Sequence, residues 1–387
     1  MRVERKKRQV LNKNSHSEAN SPQSAYDAKL LFPALFLVGI GIVMVYSASS
    51  ALALKKLGTD YFFLKRQAFF SVLGIVLLVI CRYFPYKLFQ SLAYLFLIIA
   101  FFLLITIQVS GLGYRVGGAA RWLRFGNFSF QPSEFTRLAL IIYLAYSMSK
   151  KQDKLEDFYI GFLPHVLVLG IFAILILIQP DFGSVVILGS VTWIMMFVGG
   201  VSIKHLLVSL FVSLPVCYLF LISAEYRMQR LISFWDPWQY AADGGYQIIH
   251  SLMAFGTGGV WGAGIGNGYQ KLFYLPEPHT DFIFSVIGEE LGLLGVLIIL
   301  GLYALILWRG IKIAMDAKDT FGTLLATGLT TAMGFQICIN MGVALALLPT
   351  KGLTLPFLSY GGTSLLLNMA SIGILMNINS VNNNSLN

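Results

Sequence analysis

Apolar residues run along the chain in blocks of roughly 17–25, each long enough to carry a helix across a hydrocarbon layer of about 30 Å. Ten such blocks begin near Leu30, Gln67, Leu88, Pro132, Tyr159, Gly183, Leu206, Asp281, Phe321 and Tyr360. They predict an all-α polytopic membrane protein of about ten transmembrane helices, since in lipid each backbone N–H and C=O has to be satisfied within its own helix. Most connections are short, but residues 110–131 and 225–280 are long. The second of these, between helices seven and eight, is expected to be one large extracytoplasmic loop. The expected organisation is a disordered basic tail over 1–28, one membrane domain over 29–380 and a short tail over 381–387.

Composition supports the same class: 57% of residues are hydrophobic and 12% are charged. An even number of spans puts both termini on one side. The loops opening at Arg82, Lys150, Val201 and Arg309 are short and dense in basic residues, as is the tail MRVERKKRQVLNKN. They are therefore expected to face the cytoplasm, with both termini. The opposite loops carry Lys55, Lys56, Lys65, Arg66, Arg121, Arg124, Arg227 and Arg230, but more sparsely. The formal charge of +10 is thus a matter of orientation and lipid contact, and no basic soluble domain is present to bind a nucleic acid. Cys81, Cys217 and Cys338 fall inside predicted spans, as packing residues. The first span is read as an uncleaved anchor, although Tyr46-Ser47-Ala48-Ser49-Ser50-Ala51 resembles a cleavage site. No matched pair of Gly/Pro-broken spans is visible, which argues against a repeat-built transporter.

Chemistry concentrates at YLPEPHTDFIF, residues 274–284, where Glu277, His279 and Asp281 stand between two prolines and an apolar run. The prolines forbid a regular helix, so Thr280 or Asp281 is the expected N-cap of the eighth span, at the membrane edge. Asp281 either only caps that helix or serves a reaction there; two ionisable neighbours and a long cationic loop are more than a cap requires. That loop holds Arg227 and Arg230, whose guanidiniums can clamp phosphate oxygens. It also holds the run Gly256-Thr257-Gly258-Gly259-Val260-Trp261-Gly262-Ala263-Gly264-Ile265-Gly266, which either brings backbone amides close to a ligand or makes tight turns and helix contacts. In the other long segment Arg121 and Arg124 are three apart, one face of a short interfacial helix with Trp122 and Phe125 toward the bilayer. Glu134, Asp181, Glu289 and Glu290 lie at membrane depth, where a charge is costly unless paired; Arg137 and Lys351 are available partners.

The stretches GAARWLRFGNFSFQPSEFTRLAL, LIQPDFGSVVIL, YRMQRLISFWDPW, GGYQIIHSLMAFGTGG, KLFYLPEPHTDFIFSVIGEELGLLG and LLPTKGLTLPFLSYGGTSLL together resemble the SEDS family of bacterial cell-envelope proteins. The likeness runs colinearly from about residue 32 to 375. FYLPEPHTDFIF followed by GEELG, and PTKG followed by LPF, look closer to the division branch than to the elongation branch, with the sporulation relatives also near. Arg137 stands where a lysine is more usual after QPSE, and the charge is kept.

The resemblance implies a peptidoglycan glycosyltransferase that polymerises lipid II on the outer face of the bacterial cytoplasmic membrane. It also implies a class B penicillin-binding protein (an FtsI-like transpeptidase) and other divisome membrane proteins as partners. By position, the family's catalytic aspartate falls on Asp281. A carboxylate there can take the proton of an attacking sugar hydroxyl. Arg121, Arg124, Arg227, Arg230 and Lys351 are candidates for the pyrophosphate, with Glu277 and His279 as positioning or metal-contact groups. A divalent cation, Mg or Mn, is a further candidate for that charge, and no organic cofactor is expected. The competing expectations are a lipid II flippase, a non-catalytic division scaffold, and a polymerase of another lipid-linked glycan. A flippase needs a polar path through the bilayer, whereas a polymerase gathers its ionisable groups at one face.

Overall fold

The computed structural model describes residues 27–109, 113–116, 119–126, 128–272 and 274–384. The basic N-terminal tail lies outside this set except for its end. The helix α1 (Ala28–Leu57) starts at Asp27, whose carboxylate accepts the Lys29 amide, and stops at Gly58 in the left-handed region. There follow α2 (Phe62–Tyr83), α3 (Lys87–Val109), strands β1 (Gly113–Val116), β2 (Ala119–Phe125) and β3 (Phe128–Phe130), and α4 (Pro132–Lys150). A π-helical turn at Phe158–Phe162 leads into α5 (Leu163–Ile178), then α6 (Phe182–Gly199) and α7 (Ile203–Ile222). The long loop contains α8 (Glu225–Trp235) and α9 (Tyr246–Gly258), and the chain ends with α10 (Ile283–Asp316), α11 (Thr320–Ala344) and α12 (Gly362–Asn384). The last helix thus runs on through residues expected to be a free tail.

Among the described residues nine helices are long and apolar enough to cross a membrane. The tenth expected span is present as α4, but Glu134, Arg137 and Lys150 lower its hydropathy. It tolerates them because it is an interior helix, with both Glu134 and most of its apolar positions buried. The same trade appears elsewhere: α12 and α11 are the most enclosed of the nine spans and the least hydropathic, while α3 is largely exposed and among the most hydropathic. Lipid selects apolar side chains only where lipid is touched; between helices, close packing and hydrogen bonds replace it. Gly373 of α12 sits against the Leu78 backbone of α2, and Gly74 of α2 against the Met369 side chain, so the two helices approach closely.

Arg309 near the end of α10 donates Nε to Asp27 (2.6 Å), and Asn379 near the end of α12 donates to the same carboxylate (3.0 Å). The start of α1 and the ends of α10 and α12 therefore share one side. Asp281, at the other end of α10, is opposite.

Two expectations need correction. The segment holding Arg121 and Arg124 is no helix but the middle of a three-stranded antiparallel sheet, ordered β1-β2-β3, with Leu123 opposite both Gly113 and Phe130. Strand side chains alternate, so residues three apart face opposite ways. The eighth span is not a plain helix from Asp281: α10 breaks at Gly292 (φ 64°, ψ −166°), and residues 283–290 before the break are all buried. The lipid-type exposure of Leu293, Leu294 and Leu297 begins only after it.

The glycine-rich run is the partner of that break. Ala263 and Gly264 donate their amides to Glu289 O (2.9 Å) and Glu290 O (3.0 Å), carbonyls that the broken helix cannot use. Beyond the break, Leu293 and Leu294 donate to Gly259 O (3.0 Å) and Val260 O (3.3 Å). Gly262, at φ 81°, and Gly292 lie backbone to backbone with no room for a Cβ on either. Those glycines serve packing of the loop into the helix, and the ligand-cradle alternative is set aside.

Candidate active site

Asp281 sits on the turn between Pro278 and α10, and it does not cap the helix. The N-cap position is Phe282, with no side-chain cap bond. The half-buried carboxylate accepts no hydrogen bond among the described residues; it lies against Gly352, where a Cβ would come 2.8 Å from Oδ2. Loss of water pushes its pKa up to about 7, Glu277 adds to the rise, and Arg121 and Arg230 oppose it. An aspartate in this state is an effective proton acceptor near neutrality, which an exposed one is not.

Two cations, Arg121 and Arg230, act on its charge, and both also act on Lys351. Arg121 reaches from β2 to the turn between α5 and α6, donating Nε to Gln179 O (3.1 Å) and a terminal nitrogen to Pro180 O. Lys351, in the α11–α12 connection, lies across Gly183, where a Cβ would overlap its Cε, with Nζ 4.8 Å from the Phe182 ring centroid. Burial first lowers its pKa, to about 8; Asp181 raises it, and Arg121 and Arg230 lower it further. Asp181 itself caps α6 through Ser184, accepting its amide (3.3 Å) and its hydroxyl (2.6 Å). Arg230, exposed on α8, lines a pocket of about 320 Å³ with Asp243, Tyr246, Gln247, Pro276 and Thr350.

The remaining expected ligands separate. Arg124 is exposed on the other face of β2, with Nε to Gly126 O (3.2 Å), so its pairing with Arg121 does not occur. Arg227 folds back on its own corner, stacking over Phe220 (3.6 Å) and donating to Phe220 O, Ser223 Oγ and Tyr226 Oη. It is a clamp of the α7–α8 corner and leaves the site to Arg230. Glu277 is exposed, in the left-handed region at φ 49°, and acts on Asp281 through space. His279 is buried between the rings of Phe63 (4.5 Å) and Tyr360 (5.7 Å), which pushes its pKa down to about 4. It is neutral near pH 7, so its 4.0 Å approach to Glu277 is no ion pair there.

The deep carboxylates are all held by partners within the protein. Glu134 pairs with Arg137 at 2.5 Å. Glu289 accepts the amides of Tyr269 (2.7 Å) and Gln270 (3.2 Å). Glu290 pairs with buried Lys271 (2.6 Å) and accepts from Ser47 Oγ (2.7 Å), which ties the outer loop to α1 and α10. Lys271 was missed in the sequence, although a lone lysine in GYQKLFYL is a legible signal. Asn340, an amide in the apolar run ICINMG, was missed too; it donates to Asp281 O (3.0 Å). Among the described residues no three His, Cys, Asp or Glu side chains converge as a metal set. The surroundings of Asp281 are cationic, a poor fit for a second cation held by protein alone.

The profile of a family described as "Cell cycle protein", covering FtsW, RodA and SpoVE, matches residues 28–384. A probable peptidoglycan glycosyltransferase FtsW of Geobacter sp. (strain M18) is 45% identical over 356 residues, 92% of this chain and 97% of that one. The stage V sporulation protein E of Bacillus subtilis (strain 168) is 40% identical over 352 residues, 91% and 96% of the two chains. Among solved structures, a chain from a study of polymerization and crosslinking by a peptidoglycan synthase complex superposes with a TM-score of 0.76 at 29% identity, covering 93% of this chain and 99% of that one. Thermus thermophilus RodA, the rod shape determining protein, gives 0.66 at 29% identity, covering 92% and 98%. With a profile match over nearly its whole length, the chain belongs to the FtsW/RodA/SpoVE family of cell cycle proteins.

Proposed function

We propose that this membrane protein is a peptidoglycan glycosyltransferase that polymerises lipid II on the outer face of the bacterial cytoplasmic membrane, at the division septum. The observation that carries it is the carboxylate of Asp281: half-buried, not spent on capping, and in the field of Arg121 and Arg230, which also act on Lys351. The names of the similar proteins supply the substrate class.

The acceptor sugar hydroxyl attacks the anomeric carbon of the donor. Asp281 takes the hydroxyl proton as the new C–O bond forms. The bond from that carbon to the pyrophosphate oxygen breaks on the opposite face, which inverts the α-linked donor to a β-linked product. Arg121, Arg230 and Lys351 receive the leaving charge, strongest where water is excluded. The donors present for a divalent cation are Asp281 and the substrate's own phosphates, and no step is assigned to one. The basic loops and both termini face the cytoplasm, consistent with Asp27, Arg309 and Asn379 lying on the side away from Asp281. A class B penicillin-binding protein and other division membrane proteins are the partners in this reading.

The test is polymerisation of purified lipid II by the protein with its cognate transpeptidase, comparing wild type with Asp281→Asn. Loss of a general base costs about 10²–10⁴-fold. Glycan chains from a folded Asp281→Asn variant at the wild-type rate would exclude the assigned role.

A further inference from the structure

Three successive backbone carbonyls on the turn that carries Asp281 are each held from the α11–α12 side. Tyr360 donates its amide to His279 O (2.9 Å), Ser359 Oγ donates to Thr280 O (2.6 Å), and Asn340 Nδ2 donates to Asp281 O (3.0 Å). Two of those donors are side chains, and both are buried: Ser359 is 3% exposed and Asn340 1%.

Each of the two also grips the connection that carries Lys351. Ser359 Oγ accepts the Leu355 amide (2.7 Å), and Asn340 Nδ2 gives its second hydrogen to Leu353 O (2.5 Å). One helical turn earlier on α11, Gln336 Nε2 donates to Thr354 O (2.9 Å), so the connection is anchored at two consecutive carbonyls. The orientation of Asn340 follows from its partners: two carbonyl oxygens accept from an amide nitrogen and would repel an amide oxygen. Its own Oδ1 is buried without a partner among the described residues. A leucine of similar shape would remove that unmet acceptor while losing both bonds.

The carboxylate of Asp281 has no tether among the described residues beyond its contact with Gly352. Where it points is therefore set by its backbone, and its backbone is set by Ser359, Tyr360 and Asn340.

We propose that Asn340 and Ser359 are positioning residues for glycosyl transfer, clamping the 279–281 turn to the 349–361 connection so that Asp281 and Lys351 are held on one frame. This rests on Asp281 being the base. Neither residue touches the reacting atoms. They act by holding the base and the leaving-group cation at a fixed separation, where displacement of a reacting group by about 1 Å can cost 10²-fold in rate.

The experiment measures lipid II polymerisation by Ser359→Ala, Ser359→Thr, Asn340→Leu and Asp281→Asn, each in the full-length protein with its partner. Thermal unfolding in detergent establishes that each is folded. Ser359→Ala and Asn340→Leu are expected to lower kcat about 10–100-fold with KM within about threefold, and Ser359→Thr, which keeps the hydroxyl, to elongate close to wild type. Two further readouts separate positioning from mere packing. The acidic limb of the rate profile moves toward that of an exposed aspartate as the freed carboxylate gains water, with Glu277 on its own turn, Arg121 from β2 and Arg230 from α8 as the charges acting on it. Combined with Asp281→Asn, Ser359→Ala adds little further loss, because its effect runs through the group already removed.

Full additivity, or a wild-type rate and profile in folded Ser359→Ala and Asn340→Leu beside an inactive Asp281→Asn, would overturn the clamp alone. An active Asp281→Asn would show instead that Asp281 is not the base. If Asn340→Leu does not fold, the Ser359 pair decides the outcome.

Discussion

The pH dependence of polymerisation reports the site most directly. In the free protein Asp281 is pushed up to about 7, first by loss of water and then by Glu277, while burial brings Lys351 down to about 8. The base has to be ionised and the leaving-group cation protonated. kcat/KM for lipid II is therefore expected to follow a narrow bell with limbs near those two values. Only the ionised carboxylate can accept a proton, so one unit below the acidic limb roughly a tenth of the molecules are competent and the rate falls about tenfold per unit. A solvent-exposed aspartate would set that limb near pH 4, about three units lower. The substrate's diphosphate is a diester with no proton to lose across roughly pH 5 to 9, so the limbs belong to the protein. Two variants give the signs. Glu277→Gln removes a charge that raises the Asp281 pKa and moves the acidic limb down; Arg121→Gln removes one that lowers it and moves the limb up. The assay is the initial rate of glycan chain formation from purified lipid II below KM, with the transpeptidase partner present, over that range. A wild-type profile flat down to about pH 5, beside an inactive Asp281→Asn, would refute the proton-acceptor role. Limbs that ignore both variants would place the titrating groups elsewhere.

Gly183→Ala places a methyl where the Lys351 Cε now lies, and a flexible side chain yields more readily than backbone. Polymerisation is expected to fall about 10–100-fold with the thermal midpoint nearly unchanged, checked by rate and unfolding on one preparation. Arg121→Gln should lose activity and Arg124→Gln should retain most of it, since strand alternation puts only Arg121 on the Asp281 side; equal losses would contradict the sheet. Lys271→Met leaves Glu290 buried without its cation and should destabilise by about 3–5 kcal/mol, whereas Lys271→Met with Glu290→Gln recovers most of that in a detergent melt.

Most spans were legible because a helix that touches lipid has to be covered by a hydrophobic block. Even α4, which carries an acid–base pair, begins at Pro132 as expected. The sheet around Arg121 was not legible, because RWLR satisfies a helical i, i+3 pairing and a strand alternation equally well in so short a segment. The glycine run pointed to close backbone approach, but only the break at Gly292 shows what approaches it. Asp281 was singled out from the residues, and its helix-cap alternative fell only when the first residue of α10 proved to lie beyond it.

The sequence by itself determined the membrane class and the family and pointed to Asp281; the class follows because transfer of side chains into lipid is a sum along the chain that order alone encodes. Which cations meet that aspartate was decided only by the tertiary structure. Arg121 and Arg230 come to it from a strand and a loop helix, and the same two act on Lys351 of an interhelical connection; the interaction between charges depends on their separation in space and on the water between them. Neither quantity is carried by spacing along the chain.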